Sequence, residues 1–442
     1  MTKAVAICGL ALLGAWAALA AEPWTLERAL RQALADNPDA RLAQHRLAAA
    51  QAGLDQANAA FWPRLQFQSS YAGSDNPMQA FGSILNQRAY NYGSPPDFND
   101  LPAVDNLNVR GLATVPLYAG GRTTAARHAA RAHTDAARQD EAALRNALGF
   151  EVTRAFHTVL KTRQFVRAAR AAREALENSL AVARRRHDSG TLLKSGVLDL
   201  EVRLAQARED LVRARNAEAL ATRALRALLG VEPEDPDEFE VADTAPALEA
   251  PDAGDFSGRP ELAASRHRER AAAEQVREAR SGYLPRISAF GSLDYDHGWK
   301  FNHGGGSWTA GALLQWDLWD GQLTRAKVRE ASAQLEAARA EQRKLRLALD
   351  LETAQARLDL QAAAERRAVT EHAVAQAQES ATLTRARFEQ ELALPRDLMD
   401  AETALITARV RRAEAEADWQ IAIGALRKAL GLPQLNFETP AK

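Results

Sequence analysis

Two stretches of the chain repeat each other without a gap. Residues 120–230 and residues 321–431 are related by a constant shift of 201 positions (321 minus 120), which places Asp199 opposite Asp400. A period this long indicates a duplicated half-molecule and not a solenoid of short repeats. We therefore expect two halves of the same fold, each built around one copy of this stretch.

Each copy has the pattern of two long helices separated by a break. Ala, Leu, Arg, Glu and Gln dominate both copies, and apolar residues recur at spacings of three and four. The breaks lie at Gly190 in the first copy and at Pro395 in the second. The predicted helices span 120–188 and 197–230 in the first copy and 321–391 and 396–430 in the second. The longer helix of each copy would be about 100 Å long. A helical rod or spacer is the alternative that these helices alone leave open.

Four further segments alternate apolar and polar residues with the period of a β-strand. The predicted strands cover about 64–72, 106–117, 286–296 and 307–318. Each has the length that a tilted strand needs to cross a bilayer. Aromatic residues placed toward the strand ends suggest an interfacial girdle, namely Tyr71, Tyr295, Trp308 and Trp316. A soluble four-stranded sheet packed on helices is the alternative, but the next helices begin at the strand ends, near Gly120 and Gly321, and so continue the strands.

Four strands cannot close a barrel, whose practical minimum is about eight. The chain is therefore predicted to associate. The fold class that follows is an α+β membrane protein with an internal two-fold repeat. Four β-strands per chain contribute to an oligomeric transmembrane β-barrel, which a long α-helical coiled-coil tunnel continues.

The remaining segments complete the predicted domain organisation. Residues 1–20 have the charge, apolar run and small-residue cleavage pattern of a signal peptide. The first structural repeat covers 21–230 and the second 258–431. An acidic, proline-containing linker or equatorial segment, 231–257, lies between them, and 432–442 form a C-terminal tail.

Composition argues against several function classes. A formal net charge of −1 does not favour a nucleic-acid partner. The only cysteine, Cys8, lies in the predicted signal peptide, so the mature chain would have no disulfide or thiol chemistry. The nine histidines are scattered, and no phosphate-binding glycine loop follows a strand. We therefore expect no enzyme activity, no cofactor and no metal site.

The segments that enter and leave the predicted strands carry a resemblance to a known family. They are 61–65 (FWPRL) and 283–287 (YLPRI) at the entry, 117–122 (LYAGGR) and 318–321 (LWDG) at the exit, and 397–401 (DLMDA) after the second break. With two halves that each read helix, strand, strand, long helix, turn and helix, the chain resembles the TolC-like outer-membrane efflux protein (outer membrane factor) family. Glu391 departs from the family pattern because it stands where a glycine is usual.

The resemblance implies a homotrimer with one twelve-stranded barrel in the lipid bilayer of the Gram-negative outer membrane and a helical tunnel in the periplasm. It also implies a periplasmic adaptor (membrane fusion) protein and an inner-membrane pump as partners. The chain would be the passive exit duct of a tripartite efflux or type I secretion system; its cargo is left open. The alternative function is a periplasmic coiled-coil scaffold without channel activity.

Two groups of site residues follow. The turns at the breaks should lie deepest in the periplasm and meet the adaptor or the pump through Gly190, Leu192, Leu193, Leu392 and Leu394. A carboxylate gate at the periplasmic entrance would contain Asp397 and Asp400, with the repeat-related Asp199, and would favour cations. Asp397 also suits the simpler role of capping the helix that it begins.

Overall fold

The computed structural model describes residues 23–95, 97, 99–232, 239–251 and 254–435. The predicted signal peptide, part of the linker and most of the C-terminal tail lie outside the described residues. The chain divides into two compact units. The helical unit comprises Met1–Arg41, Arg145–Gly254 and Thr353–Lys442, and the sheet unit comprises Leu42–Leu144 and Asp255–Glu352.

Eight helices and four strands follow one another in the described part of the chain. The helices are α1 (Leu26–Asp36), α2 (Pro38–Ala59), α3 (Pro77–Asn86), α4 (Arg122–Asp188), α5 (Lys194–Leu228), α6 (Pro260–Arg280), α7 (Leu323–Glu389) and α8 (Pro395–Ala429). The strands are β1 (Arg64–Ser74), β2 (Val104–Tyr118), β3 (Arg286–Gly298) and β4 (His303–Gln315). The order of elements is therefore the same in both halves, except that the first half has two additional helices, α1 and α3.

The strands of the sheet unit form one antiparallel meander in the order β1-β2-β3-β4. Because paired residues share a face, the register divides the side chains into two sets. The apolar face contains the row Phe67, Gly111, Leu293 and Trp308. The polar face contains the row Gln68, Arg110, Asp294 and Ser307. The alternation of the sequence thus becomes a sheet with two chemically different surfaces.

Helix α3 lies in the β1–β2 connection, between the predicted strands 64–72 and 106–117, where no helix was predicted. Its first turn is capped by Asn76, whose side-chain oxygen accepts from the N–H groups of Met78 and Gln79 at 3.1 and 3.4 Å. Pro77 occupies the first helical position, where its missing N–H costs nothing. Asn76 and Pro77 therefore begin a short helix inside the connection.

The β3–β4 connection is shorter than the 297–306 segment that we expected. Asn302, with φ of 49°, closes the turn, and Gly304, Gly305 and Gly306 belong to β4, paired with His297, Asp296 and Tyr295. The run of glycines indicated a turn because glycine is the usual turn residue. Here the glycines lie inside a strand, and Gly305 leaves the space that the backbone carbonyl of Asn86 occupies.

The core of the helical unit lies where α1 packs against α4. Leu26, Leu30, Val152 and Phe156 are almost completely buried there, with Ile423 of α8. The described part of the linker is attached by hydrogen bonds from the Trp24 N–H to the Glu240 carbonyl, 2.7 Å, and from the Ala242 N–H to the Trp24 carbonyl, 3.0 Å. Elsewhere alanine is the commonest buried residue, and its small side chain permits close helix packing with little core volume.

Candidate functional site

The turn between α4 and α5 reverses the chain through a left-handed glycine. Gly190 has φ of 82°, a conformation that costs glycine no side-chain clash. The N–H groups of Thr191 and Leu192 donate to the Arg186 carbonyl at 2.9 and 3.2 Å, so the end of α4 is closed by backbone bonds. His187 adds a contact between its Nδ1 and the Leu192 carbonyl oxygen at 3.0 Å.

The turn between α7 and α8 has the same backbone conformation without a glycine. Glu391 has φ of 67°, which is unfavourable for a residue with a Cβ by about 1–2 kcal/mol. Its carboxylate accepts a hydrogen bond from the Thr191 hydroxyl at 3.3 Å and lies 3.8 Å from Nε of Arg186. Arg186 also donates to the Phe388 carbonyl at 3.2 Å. Glu391 therefore joins the two turns through its side chain.

An apolar cluster lies directly beneath both turns. It consists of Leu176, Leu180, Ala183, Val197, Leu200, Leu204, Ala207, Phe388 and Leu398. Among the predicted tip residues, Leu192 packs against this cluster and is only partly exposed. Leu193, Leu392 and Leu394 are exposed by 77%, 74% and 66%. The turns thus present three leucines outward, while the fourth belongs to the core.

The three predicted gate aspartates are all exposed. Asp397 lies in the first turn of α8 and accepts a hydrogen bond from the Leu394 N–H at 3.2 Å, so it does cap the helix. Asp400 caps nothing; it lies 3.9 Å from Nε of the equally exposed Arg396. Asp199 lies within α5. Both Asp400 and Asp199 therefore keep exposed carboxylates that helix capping does not explain.

The predicted girdle aromatics belong to the apolar face but not all lie at its ends. Tyr71, Tyr295 and Trp308 share this face by register. Trp308 lies in the middle of β4, because β4 begins at His303 and not at the expected 307. Trp316 lies just beyond β4, where its indole N–H donates to the Tyr283 carbonyl at 3.1 Å. At the other end Tyr71 stacks edge-on with Trp299, 5.6 Å between centroids, a partner that the sequence did not indicate.

The polar face carries a connected set of charged and amide side chains. Nε of Arg110 lies 2.5 Å from a carboxylate oxygen of Asp294. The amide of Asn106 donates to Asp296 at 2.6 Å, and the amide of Asn108 donates to the same oxygen at 3.1 Å. Periodicity identified this face as polar, but only the register brings residues about 190 positions apart into contact.

A cavity of about 690 Å³ in the helical unit contains one buried histidine. The charged residues that line the cavity are Lys161, Arg167, Asp243, Arg409, Arg412 and Glu416. His157 is 4% exposed, and its Nε2 has no hydrogen-bond partner. Burial lowers the pKa of His157 from 6.5 to about 4, because the charged imidazolium is disfavoured away from water. The side chain is therefore neutral at physiological pH.

Contacts that depend on long-range packing could not be predicted from the sequence. Arg186 and Gln87 were not predicted as site residues, although Arg186 donates to the Phe388 carbonyl and Gln87 to the Asp105 carbonyl. The departure at Glu391 was the one available signal, since a non-glycine residue at a left-handed position requires a compensating contact.

Within the described segments, no helix has the length and hydrophobicity needed to cross a bilayer. The same segments contain no group of three or more His, Cys, Asp or Glu side chains placed to hold a metal ion. The expectations of no cofactor and no metal remain predictions.

The comparisons with known proteins identify the class. The model of the outer membrane efflux protein family matches residues 29–231 and 257–432. No match was found among curated proteins. The chain is similar to the solved outer-membrane channel OprN, with 23% identity, 92% of this chain and 89% of that chain covered, and a TM-score of 0.79. It is similar to the outer membrane protein VceC from Vibrio cholerae, with 22% identity, 93% and 97% coverage and a TM-score of 0.78.

A third solved structure has the same fold. The open state of the Neisseria gonorrhoeae MtrE outer membrane channel matches with 18% identity, 92% and 89% coverage and a TM-score of 0.76. These similarities confirm the predicted fold class, a four-stranded sheet combined with long helices in a repeated arrangement.

The chain belongs to the outer membrane efflux protein family. Accordingly it is an outer-membrane exit duct for an efflux system, located in the Gram-negative outer membrane and extending into the periplasm. This result confirms the predicted function class and localisation over the periplasmic scaffold. The family is one of channel proteins and not of enzymes.

Proposed function

We propose that three copies of this chain form one duct, which is coupled at the helix turns to a periplasmic adaptor protein and an inner-membrane pump. The observation that carries the proposal is the sheet itself, which has one apolar face, one polar face and two open edges, β1 and β4. A sheet of this kind is satisfied in a bilayer only when its edges are paired and its apolar face meets lipid.

Closure by identical copies follows from the meander. Because β1 and β4 run in opposite directions, β4 of one copy can pair antiparallel with β1 of the next. Three copies supply twelve strands (three times four), which exceeds the practical minimum of about eight for a barrel. The number three is the one that the family resemblance implies.

The exposed leucines of the turns support contact with partner proteins. Leu193, Leu392 and Leu394 are large apolar side chains that remain in solvent in the single chain, and burying each against a partner would contribute about 1.5–3 kcal/mol. Leu192 packs against the apolar cluster beneath the turns. It would therefore affect partner contact only by stabilising the turn. Gly190 permits the turn that presents Leu193.

A carboxylate gate at the same turns would select cations. Asp397, Asp400 and Asp199 are exposed, and threefold symmetry would gather nine carboxylates from these positions. The contact of Asp400 with Arg396 is long and between exposed groups, so it would neutralise little of that charge. A ring of negative charge raises the local concentration of cations and binds multivalent cations tightly.

Conductance in planar bilayers tests the gate. The double variant Asp397→Asn with Asp400→Asn should lose the cation preference of the wild-type channel and its block by trivalent cations. Asp55→Asn, which removes an exposed carboxylate of α2, is the control and should retain both properties. Unchanged selectivity in the double variant would reject the gate and leave Asp397 as a helix cap alone.

Assembly is tested separately on the detergent-solubilised protein. Light scattering should give the mass of three chains, and a stable monomer would contradict the proposal. For partner contact, Leu392→Cys and Leu394→Cys should crosslink to an adaptor in cells, whereas cysteine at Tyr92, in the β1–β2 connection, should not. Crosslinks from Tyr92→Cys alone would contradict partner contact at the helix turns.

A further inference from the structure

Helix α3 is held against the polar face of the sheet. Gln87, the residue after the last turn of α3, is fully buried. Its amide donates to the Asp105 carbonyl at 2.6 Å and to the side-chain oxygen of Asn106, a residue of the polar face, at 2.9 Å. Arg88 donates to the Gly306 carbonyl at 3.0 Å. These bonds attach the end of α3 to both β2 and β4.

Two glycines of the polar face provide the space for this contact. A Cβ at Gly305 would collide with the backbone carbonyl of Asn86, and a Cβ at Gly298 would collide with the side-chain amide of Gln87. By register both positions lie on the polar face. The close approach therefore depends on the absence of side chains at two positions of the sheet, which explains glycine in the interior of β4.

One surface of α3 packs into a small apolar cluster. Ala80 and Ile84 of the helix pack with Leu101 and Val104, so α3 is part of the folded sheet unit and not a loosely attached segment. Its opposite surface is open, since Met78 is 83% exposed and Leu85 is 47% exposed.

The chemistry of α3 differs from that of the surface on which it lies. The helix sequence, PMQAFGSILN, contains no charged residue, whereas the polar face beside it carries Arg110, Asp294 and Asp296. An uncharged helix does not add to ion selection by charge. It does occupy volume, in a place where the bare polar face would otherwise be open.

We propose that α3 is a size-limiting constriction at the outer end of the duct, where it restricts the cross-section available to cargo. The inference rests on the proposed function, because the polar face lines the duct only if the sheets of several copies close into one barrel. The outer end is assigned because α3 joins β1 to β2 at the end of the sheet opposite to that where α2 enters and α4 leaves.

The first test displaces α3 from the sheet. Gly305→Ala forces the Asn86 carbonyl away and should raise the single-channel conductance of the full-length protein in planar bilayers. It should also admit polyethylene glycols larger than those that enter the wild-type channel. Gly291→Ala is the matched control in β3, because a Cβ there meets only the Thr309 carbonyl at 3.9 Å; its conductance should equal that of the wild type.

The second test leaves α3 in its place on the sheet. The only cysteine of the chain, Cys8, lies in the predicted signal peptide, so Met78→Cys would provide a single reactive thiol on the open surface of α3. Modification by a bulky, membrane-impermeant thiol reagent added from the outer side should reduce the current. Leu293→Cys, on the apolar face, is the control and should give no change.

The outcomes separate this inference from the proposal on which it rests. Higher conductance in Gly305→Ala together with block at Met78→Cys supports the constriction. A functional channel that responds to neither change overturns the constriction and leaves the duct intact. A wild-type protein that forms no channel overturns the proposed function and the constriction with it.

Discussion

The two halves of the repeat place the same backbone conformation at equivalent positions but hold it in different ways. Gly190 and Glu391 are related by the shift of 201 (391 minus 190), and both have positive φ, 82° and 67°. Glycine adopts the conformation without cost. Glu391 adopts it against a local preference and gains contacts with Thr191 and Arg186 of the first turn. The left-handed residue of the first turn therefore needs no side-chain contact, whereas that of the second turn contacts the neighbouring turn through its side chain.

The long helices of the two halves also differ, in the burial of side chains at equivalent positions. Phe156 of α4 is completely buried, whereas its counterpart in α7, Arg357 (357 minus 156 is 201), is exposed. The reason is α1, which packs against α4 in the helical unit. Helices α2 and α6 begin at Pro38 and Pro260, a shift of 222 (260 minus 38). At this shift α1 corresponds to residues 248–258, and the described residues of that range contain one short turn of helix, Phe256–Gly258. Equivalent positions of the sequence repeat are therefore not equally buried.

The largest expected effect comes from His157, whose counterpart in α7 is the exposed Leu358. The folded protein keeps His157 neutral down to about pH 4, while the unfolded chain binds a proton near pH 6.5. The stability that depends on neutral His157 is therefore complete above pH 6.5 and is lost as the pH falls toward 4, by up to about 3 kcal/mol. His157→Leu, which introduces the residue of the other half, should remove this loss.

Thermal unfolding followed by helix circular dichroism between pH 7.5 and pH 4 measures the effect. His372→Leu removes an exposed histidine of α7 and should retain the wild-type pH dependence. If His157→Leu and the wild type lose stability equally on acidification, protonation of His157 is not coupled to unfolding.

Exchanging the turn residues tests the comparison of Gly190 with Glu391. Gly190→Glu should lower the free energy of unfolding by about 1–2 kcal/mol, because a Cβ at this φ is strained. Glu391→Gly should change it by less than about 1 kcal/mol, since the relief of strain offsets the lost, partly exposed contacts. Melting temperatures of both variants at one pH provide the measurement. Equal losses in the two variants would show that the contacts of Glu391 with Thr191 and Arg186 contribute more than the relief of strain.

The smallest effect concerns two aspartates of α8. Asp397→Ala should destabilise the protein by about 0.5–1 kcal/mol, because the carboxylate both bonds the Leu394 N–H and favours the helix N-terminus. Asp400→Ala should leave the melting temperature unchanged, since its carboxylate is exposed and caps nothing. The counterpart of Asp397 in the first half is Gly196, so this cap exists in one half only. A larger loss for Asp400→Ala would assign it a structural role instead of the gate.

Much of the fold could be predicted from local patterns. Helical periodicity predicted α4, α5, α7 and α8, and period-two alternation predicted the four strands and the separation of their apolar from their polar side chains. The candidate site was predicted less completely. Leu192 was grouped with the exposed tip residues but packs inward, because a turn sequence does not indicate which of two neighbouring leucines faces the core. Trp308 was placed near a strand end because the glycines before it resembled a turn.

By itself, the sequence determined the duplication, the sequence of helices and strands, and the separation of apolar from polar residues on the sheet, since these depend on residues close together in the chain. Tertiary structure alone decided that α1 buries one copy of the repeat, that Glu391 reaches Arg186, and that α3 lies on the polar face. Each of these depends on residues far apart in the sequence, at separations such as the 218 positions between Arg88 and Gly306. Local periodicity carries no information about such pairs, because which residues meet is set by the packing of whole elements.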